Sequence, residues 1–161
     1  MANGESMSHD PEGEPCLVLC TVKDVKGNPI EGVKVDIWET DSTGHYDVQH
    51  ADRDGPDGRC VMLSDKEGVF WFKAIVPVPY PIPHDGPVGV LLKLLNRHPW
   101  RPAHMHFMFE KKGWDHLITY VFLDYSFSAF SNHALTIFPV LYISAMTHMK
   151  PQMPFLASRS P

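Results

Sequence analysis

Residues 80–106 read YPIPHDGPVGVLLKLLNRHPWRPAHMH, and the two ends of this run set the terms for the rest of the chain. At its far end stand His104 and His106, two positions apart. Side chains of a β-strand alternate faces, so this spacing aims both imidazoles at one point. That is a metal-ligand spacing, although two imidazoles alone suit zinc, copper, nickel or iron, and an isolated His-x-His is also how a strand presents histidines to solvent. At its near end stands Tyr80, fenced by Pro77, Pro79, Pro81 and Pro83. Prolines at this density leave the backbone few conformations, so the tyrosine is held in place. A phenol becomes a strong anionic ligand only after losing its proton, which at neutral pH costs roughly 4 kcal/mol from a pKa near 10. A trivalent cation supplies that cost.

Working outward, RPAHMHFMFEKK reads as a strand with Met105, Phe107 and Phe109 on the face away from the histidines. Between the two ends, VGVLLKLLNR spaces Val88, Leu91, Leu92 and Leu95 along one side of a short helix starting between Asp85 and Gly89, expected to pack on the core. Upstream, CLVLCTVKD and GVKVDIWET alternate as strands around the turn KGNP, with Val33, Val35 and Ile37 sharing a face. RCVMLSD and GVFWFKAIV are expected to form a hairpin around KEG. HADRDGPDG, residues 50–58, is charged and glycine-rich and reads as a solvated loop. Many antiparallel strands with one short helix predict an all-β, antiparallel β-sandwich.

The chain has 161 residues, 43% hydrophobic and 20% charged, which fits one domain with one core. A net charge of -5 and the lack of a basic patch argue against nucleic acid or an anionic membrane as partner. The polar leader, residues 1–14, has no apolar secretory core, and a cytoplasmic location is the expectation. Cys16, Cys20 and Cys60 are an odd number without zinc-finger spacing, and read as small core or surface residues rather than a disulfide framework.

The runs YPIP, DGPVG and RHPWRPAHMHF resemble the signature of the intradiol ring-cleavage dioxygenases, non-haem Fe(III) enzymes that open catechols between the hydroxylated carbons. That family holds its iron with two tyrosines and two histidines. The resemblance implies Tyr80, His104 and His106 as three ligands and, from the Gly-x-Tyr-Asp turn in DSTGHYDVQ, Tyr46 as the fourth; alone, Tyr46 would read as an ordinary aromatic opening a strand. It further implies that Tyr80 leaves the metal and takes up a proton when the diol binds. Arg101 matches a family arginine facing the substrate, where its permanent charge would stabilise negative charge on the ring; otherwise it would pair with a surface carboxylate. The implied reaction inserts both atoms of O2 into hydroxyquinol or catechol to give a cis,cis-muconate, or maleylacetate from hydroxyquinol. Details of KEGVFWFK and DGPVGVLLKLLNRHP are most similar to the fungal hydroxyquinol-cleaving type. The rival from another class is a transthyretin-like β-sandwich that binds without chemistry, or an inactive remnant of the enzyme.

The resemblance covers residues 15–119, the expected catalytic domain. Family members typically begin with a helical segment that makes a homodimer interface and one wall of the pocket, and this chain starts almost at the β-domain. Residues 120–161 form a tail without the family's closing motif. For residues 141–161 synonymous codons exist that, read from the third base, spell LYLRNDPYETSDAVFGVKKP, which is that motif. Codons for residues 119–121 accommodate GTATGT and those for 139–140 accommodate CAG, so the tail is expected to be a translated retained intron followed by frame-shifted sequence.

Overall fold

The computed structural model describes residues 1–122 and the backbone of 140–143. Nine strands are named among them: β1 (Pro15–Thr21), β2 (Lys34–Trp38), β3 (Arg59–Leu63), β4 (Val69–Ile75), β5 (Tyr80–Pro81), β6 (Trp100–Arg101), β7 (His104–Glu110), β8 (Leu117–Phe122) and β9 (Val140–Ile143). One sheet has the order β4-β1-β9 and the facing one β3-β2-β7-β8; β5 and β6 form a separate two-stranded ribbon. All pairings are antiparallel except β1 with β9. The tail reading falls outside the described residues except at 120–122 and 140–143.

Alternation builds the core. Val18 and Cys20 from β1, Phe70 and Phe72 from β4, Val35 and Ile37 from β2, and Met105, Phe107 and Phe109 from β7 are all buried between the two larger sheets. Phe70 with Phe72 and Phe107 with Phe109 are two apart in their strands, and their rings stack along each sheet. With the odd-numbered β7 residues committed to the core, His104 and His106 must leave from its other face. Cys16 and Cys20 are buried, Cys60 is half-buried, and none is in a disulfide. The leader lies along the outer edge of β4. Met7 is buried, and the Gly4 and Met7 amides donate to the carbonyls of Trp71 and Lys73.

Three expectations are corrected. RCVMLSD and GVFWFKAIV are consecutive but not a hairpin: β3 pairs with β2 and β4 with β1. The turn between them straddles the sandwich. Ser64 stays tied to Val33, through its amide to the Val33 carbonyl and its Oγ to the Val33 amide. Four residues on, Gly68 accepts from Val22 and hands the chain to β1; a Cβ on Gly68 would collide with the Val22 carbonyl. The helix α1 (Pro87–Leu94) exists, but it is not core-packing. Val88, Leu91, Leu94 and Leu95 are exposed and only Gly89 is buried, its bare Cα lying against the His84 carbonyl. Helical period locates an apolar side without saying whether anything covers it. The loop at 50–58 is solvated at Ala51, Asp52 and 54–56, but its ends are anchored: His50 Nε2 lies 2.6 Å from Asp41 and Arg53 donates to Asp57 at 3.1 Å. Among the described residues no helix is long and apolar enough to cross a membrane.

Candidate metal centre

Tyr46 reaches the centre from a loop built around one carboxylate. Asp41 Oδ1 accepts from the Thr43 amide, the Thr43 hydroxyl and the His45 amide, winding the chain into a turn that Gly44 completes at φ +81°. Beyond Tyr46 a 3-10 turn, Asp47–Gln49, begins, and Gln49 Oε1 accepts the Tyr46 amide at 2.8 Å. Asp47 then binds the Arg59 guanidinium with both oxygens, at 2.6 and 2.5 Å, fastening the loop to β3.

Tyr80 arrives on the proline-bounded ribbon, where β5 pairs it with Arg101 of β6. Arg101 Nη1 donates to the Tyr80 phenol oxygen at 2.7 Å. The histidines come from β7. His104 is 2% exposed and its Nδ1 lies 2.8 Å from the Pro102 carbonyl. A carbonyl only accepts, so Nδ1 carries the proton and Nε2 presents a lone pair.

Four atoms close a ring. Tyr46 Oη lies 2.7 Å from Tyr80 Oη, which lies 3.3 Å from His104 Nε2; that nitrogen is 3.1 Å from His106 Nε2, and His106 Nε2 is 3.3 Å from Tyr46 Oη. A cation bonded at about 2.0–2.1 Å separates adjacent donors by roughly 2.8–3.0 Å in octahedral and roughly 3.3–3.4 Å in tetrahedral geometry, the span of the four edges of this ring to within about 0.1 Å. The residues present therefore fit a metal ion. Among the described residues no cluster of three His, Cys, Asp or Glu side chains forms, so the two phenols are what complete the donor set. All four candidate ligands and Arg101 are brought together.

The electrostatics suit a highly charged cation. Burial, then the nearby His104 and Arg101, push His106 down to about 4; burial likewise lowers His104, so both rings are neutral and able to bind at neutral pH. Burial and the neighbouring Tyr80 phenol raise the Tyr46 phenol well above its ordinary value. With no carboxylate in the ring, only a strong Lewis acid would hold Tyr46 as phenolate.

Sequence reasoning missed the aromatic walls. Trp38 stacks on His106 with ring centroids 4.9 Å apart and planes 8° apart. Tyr120 and Phe122, opposite His106 and His104 in the β7–β8 register, set their rings edge-on to the histidines. The signal was available for Trp38: strand alternation puts it opposite Val35 and Ile37, a large aromatic on the face shared with Lys34 and Asp36.

A family model described as "Dioxygenase" matches residues 2–131. The chain belongs to the intradiol ring-cleavage dioxygenase family. Within it, the chain is 79% identical over 120 residues to the intradiol ring-cleavage dioxygenase hqdA of Aspergillus niger, a match covering 74% of this chain and 36% of that protein. It is 47% identical over 121 residues to the 6-chlorohydroxyquinol 1,2-dioxygenase of Cupriavidus pinatubonensis, covering 75% and 44%. The solved hydroxyquinol 1,2-dioxygenase of Pseudomonas putida DLL-E4 superposes with a TM-score of 0.69 at 42% identity, over 76% of this chain and 43% of that one. This family member thus spans between about a third and under half of the length of these relatives.

Proposed function

We propose that the chain carries the Fe(III) centre of an intradiol dioxygenase acting on hydroxyquinol or catechol with O2, with Tyr46, Tyr80, His104 and His106 as ligands. What carries this reading is the closed ring of two phenol oxygens and two imidazole nitrogens, 2.7–3.3 Å apart. The relatives' names, hydroxyquinol and 6-chlorohydroxyquinol 1,2-dioxygenase, support the substrate class, hydroxyquinol first. A binding module of the same sandwich would have no use for such a donor set.

When bound, ferric iron supplies Lewis acidity toward both oxygens of an aromatic diol. The remaining work falls to the chain. Neutral His104, its Nδ1 proton donated to the Pro102 carbonyl, and neutral His106 supply lone pairs without competing protons. Tyr80 Oη sits between Tyr46 Oη and Arg101 Nη1; held as phenolate by the metal, it would be the acceptor, oriented by a guanidinium, for a proton released by an incoming diol hydroxyl. Arg101 offers its guanidinium charge where electron density gathers on the ring. The half-exposed rings of Tyr120 and Phe122 offer an aromatic surface beside the histidines.

Adding Fe(III) to the purified metal-free chain tests this. A visible phenolate-to-iron charge-transfer band at one iron per chain is expected, with oxygen uptake on adding hydroxyquinol or catechol. The band should be shifted and weakened in Tyr46→Phe and Tyr80→Phe. A colourless iron-loaded protein that consumes no oxygen would remove the assignment.

A further inference from the structure

The two histidines are oriented by different means. His104 is fixed by a hydrogen bond from Nδ1 to the Pro102 carbonyl. His106 makes its hydrogen-bond contacts through Nε2, and its Nδ1 bonds no protein group among the described residues. Ring histidines that hold metals are ordinarily aligned through the second nitrogen. Something else must stop the His106 ring from turning about its Cβ–Cγ bond.

The β-register supplies it. Trp38 of β2 lies directly opposite His106 of β7, and Tyr120 of β8 lies opposite it on the other side. The Trp38 indole is nearly parallel to the imidazole, 8° between planes and 4.9 Å between centroids, while Tyr120 meets it edge-on at 6.1 Å and 74°. Turning the imidazole would lift it off the indole and drive its edge into that flat surface. Trp38 is itself well anchored: its own partner across β3 is Arg59, which holds the Asp47 carboxylate of the Tyr46 loop.

We propose that Trp38 is a positioning residue for His106: its indole face does for this ring what the Pro102 carbonyl does for His104. The inference rests on the ligand assignment above, but its first readout does not need metal. In metal-free protein, the His106 ring protons should resonate upfield of those of His104 because they lie over an indole face. Trp38→Phe, which keeps a flat ring, should retain part of the shift; Trp38→Leu, which keeps apolar volume without a flat face, should abolish it. Fe(III), supplied as its nitrilotriacetate complex, should bind Trp38→Leu about 10–100-fold more weakly than wild type. Trp38→Phe should recover most of that loss.

A folded Trp38→Leu protein that binds Fe(III) as tightly as wild type would overturn the proposal. So would wild-type His106 protons showing no upfield shift, a measurement that stands even where Trp38→Leu does not fold. Wild-type protein that shows the ring shift but binds no Fe(III) would sink the ligand assignment and leave the Trp38–His106 packing established.

Discussion

Gly44 lies against Tyr80: a Cβ built on Gly44 would stand 2.8 Å from the Tyr80 Cβ, closer than packed carbons approach. The two tyrosines meet through a backbone contact in which one partner has no side chain. The Gly44 φ of +81° adds a second reason for glycine, since residues with a Cβ rarely adopt it.

Gly44→Ala should therefore separate the Tyr46 loop from the ribbon. The expected result is a loss of more than about 1 kcal/mol in urea unfolding, because alanine is strained at positive φ. Fe(III) binding should weaken beyond what that stability loss explains, as followed by the visible band.

Arg101 touches the Tyr80 phenol but is outside the donor ring. Arg101→Met should leave iron content near one per chain and lower turnover roughly 10²-fold, the scale for removing one preorganised donor. Iron analysis beside oxygen uptake separates the two effects. Loss of iron in this variant would instead make Arg101 a support for the ligand set.

The Asp47–Arg59 pair fastens the Tyr46 loop, with the Asp47 side chain 6% and the Arg59 side chain 40% exposed. Arg59 holds the Asp47 carboxyl below its ordinary value. Its contribution is thus fully present above about pH 3.9 and is lost as pH falls through the lowered native value. With Arg59 half in solvent, about 1 kcal/mol is expected from the pair. Asp47→Asn should lose about that much at pH 7, and the difference from wild type should shrink on acidification in urea titrations.

Glu39 presents the opposite sign. It follows Trp38 at the end of β2 and is 2% exposed; one oxygen accepts from the Ile75 amide at 3.3 Å and the other has no partner among the described residues. Burial raises its carboxyl well above the ordinary range. Between the unfolded and native values the folded protein holds a proton that the unfolded chain has released, so stability falls as pH rises from about 4.5 upward. Glu39→Gln should flatten that slope and be more stable than wild type at neutral pH. Unfolding at pH 5, 6, 7 and 8 measures it.

The tail reading predicts a second transcript. Excising the segment between the candidate splice sites in codons 119 and 140 should join Thr119 to a frame reading ALYLRNDPYETSDAVFGVKKP. Sequencing cDNA across this junction checks it, and genomic sequence lacking GTATGT or the CAG at those codons would refute it.

The donor types and their spacing were legible in the sequence. His104 and His106 share a face because strand period is two, whatever the strand packs against, and prolines around Tyr80 restrict its backbone without help from the rest of the chain. Burial of Val35, Ile37, Phe107 and Phe109 followed from the same period. Which strands would neighbour one another did not. Residues 59–76 look like a hairpin because a short turn joins two strands, yet the Ser64–Val33 and Gly68–Val22 contacts, made with distant segments, send them to opposite sheets. Helix α1 shows the same limit: its period was visible, the exposure of its leucines was not.

The amino-acid sequence by itself thus determined the chemistry on offer, two phenols, two imidazoles and a guanidinium, and the local geometry that aims each of them. Only the tertiary structure decided that they meet: Tyr46 and His106 are 60 positions apart, and their 3.3 Å contact depends on cross-strand register and on a glycine pressed against a tyrosine. Local periodicity is a property of a few neighbouring dihedrals, whereas register and close approach are set by packing among segments remote in the chain.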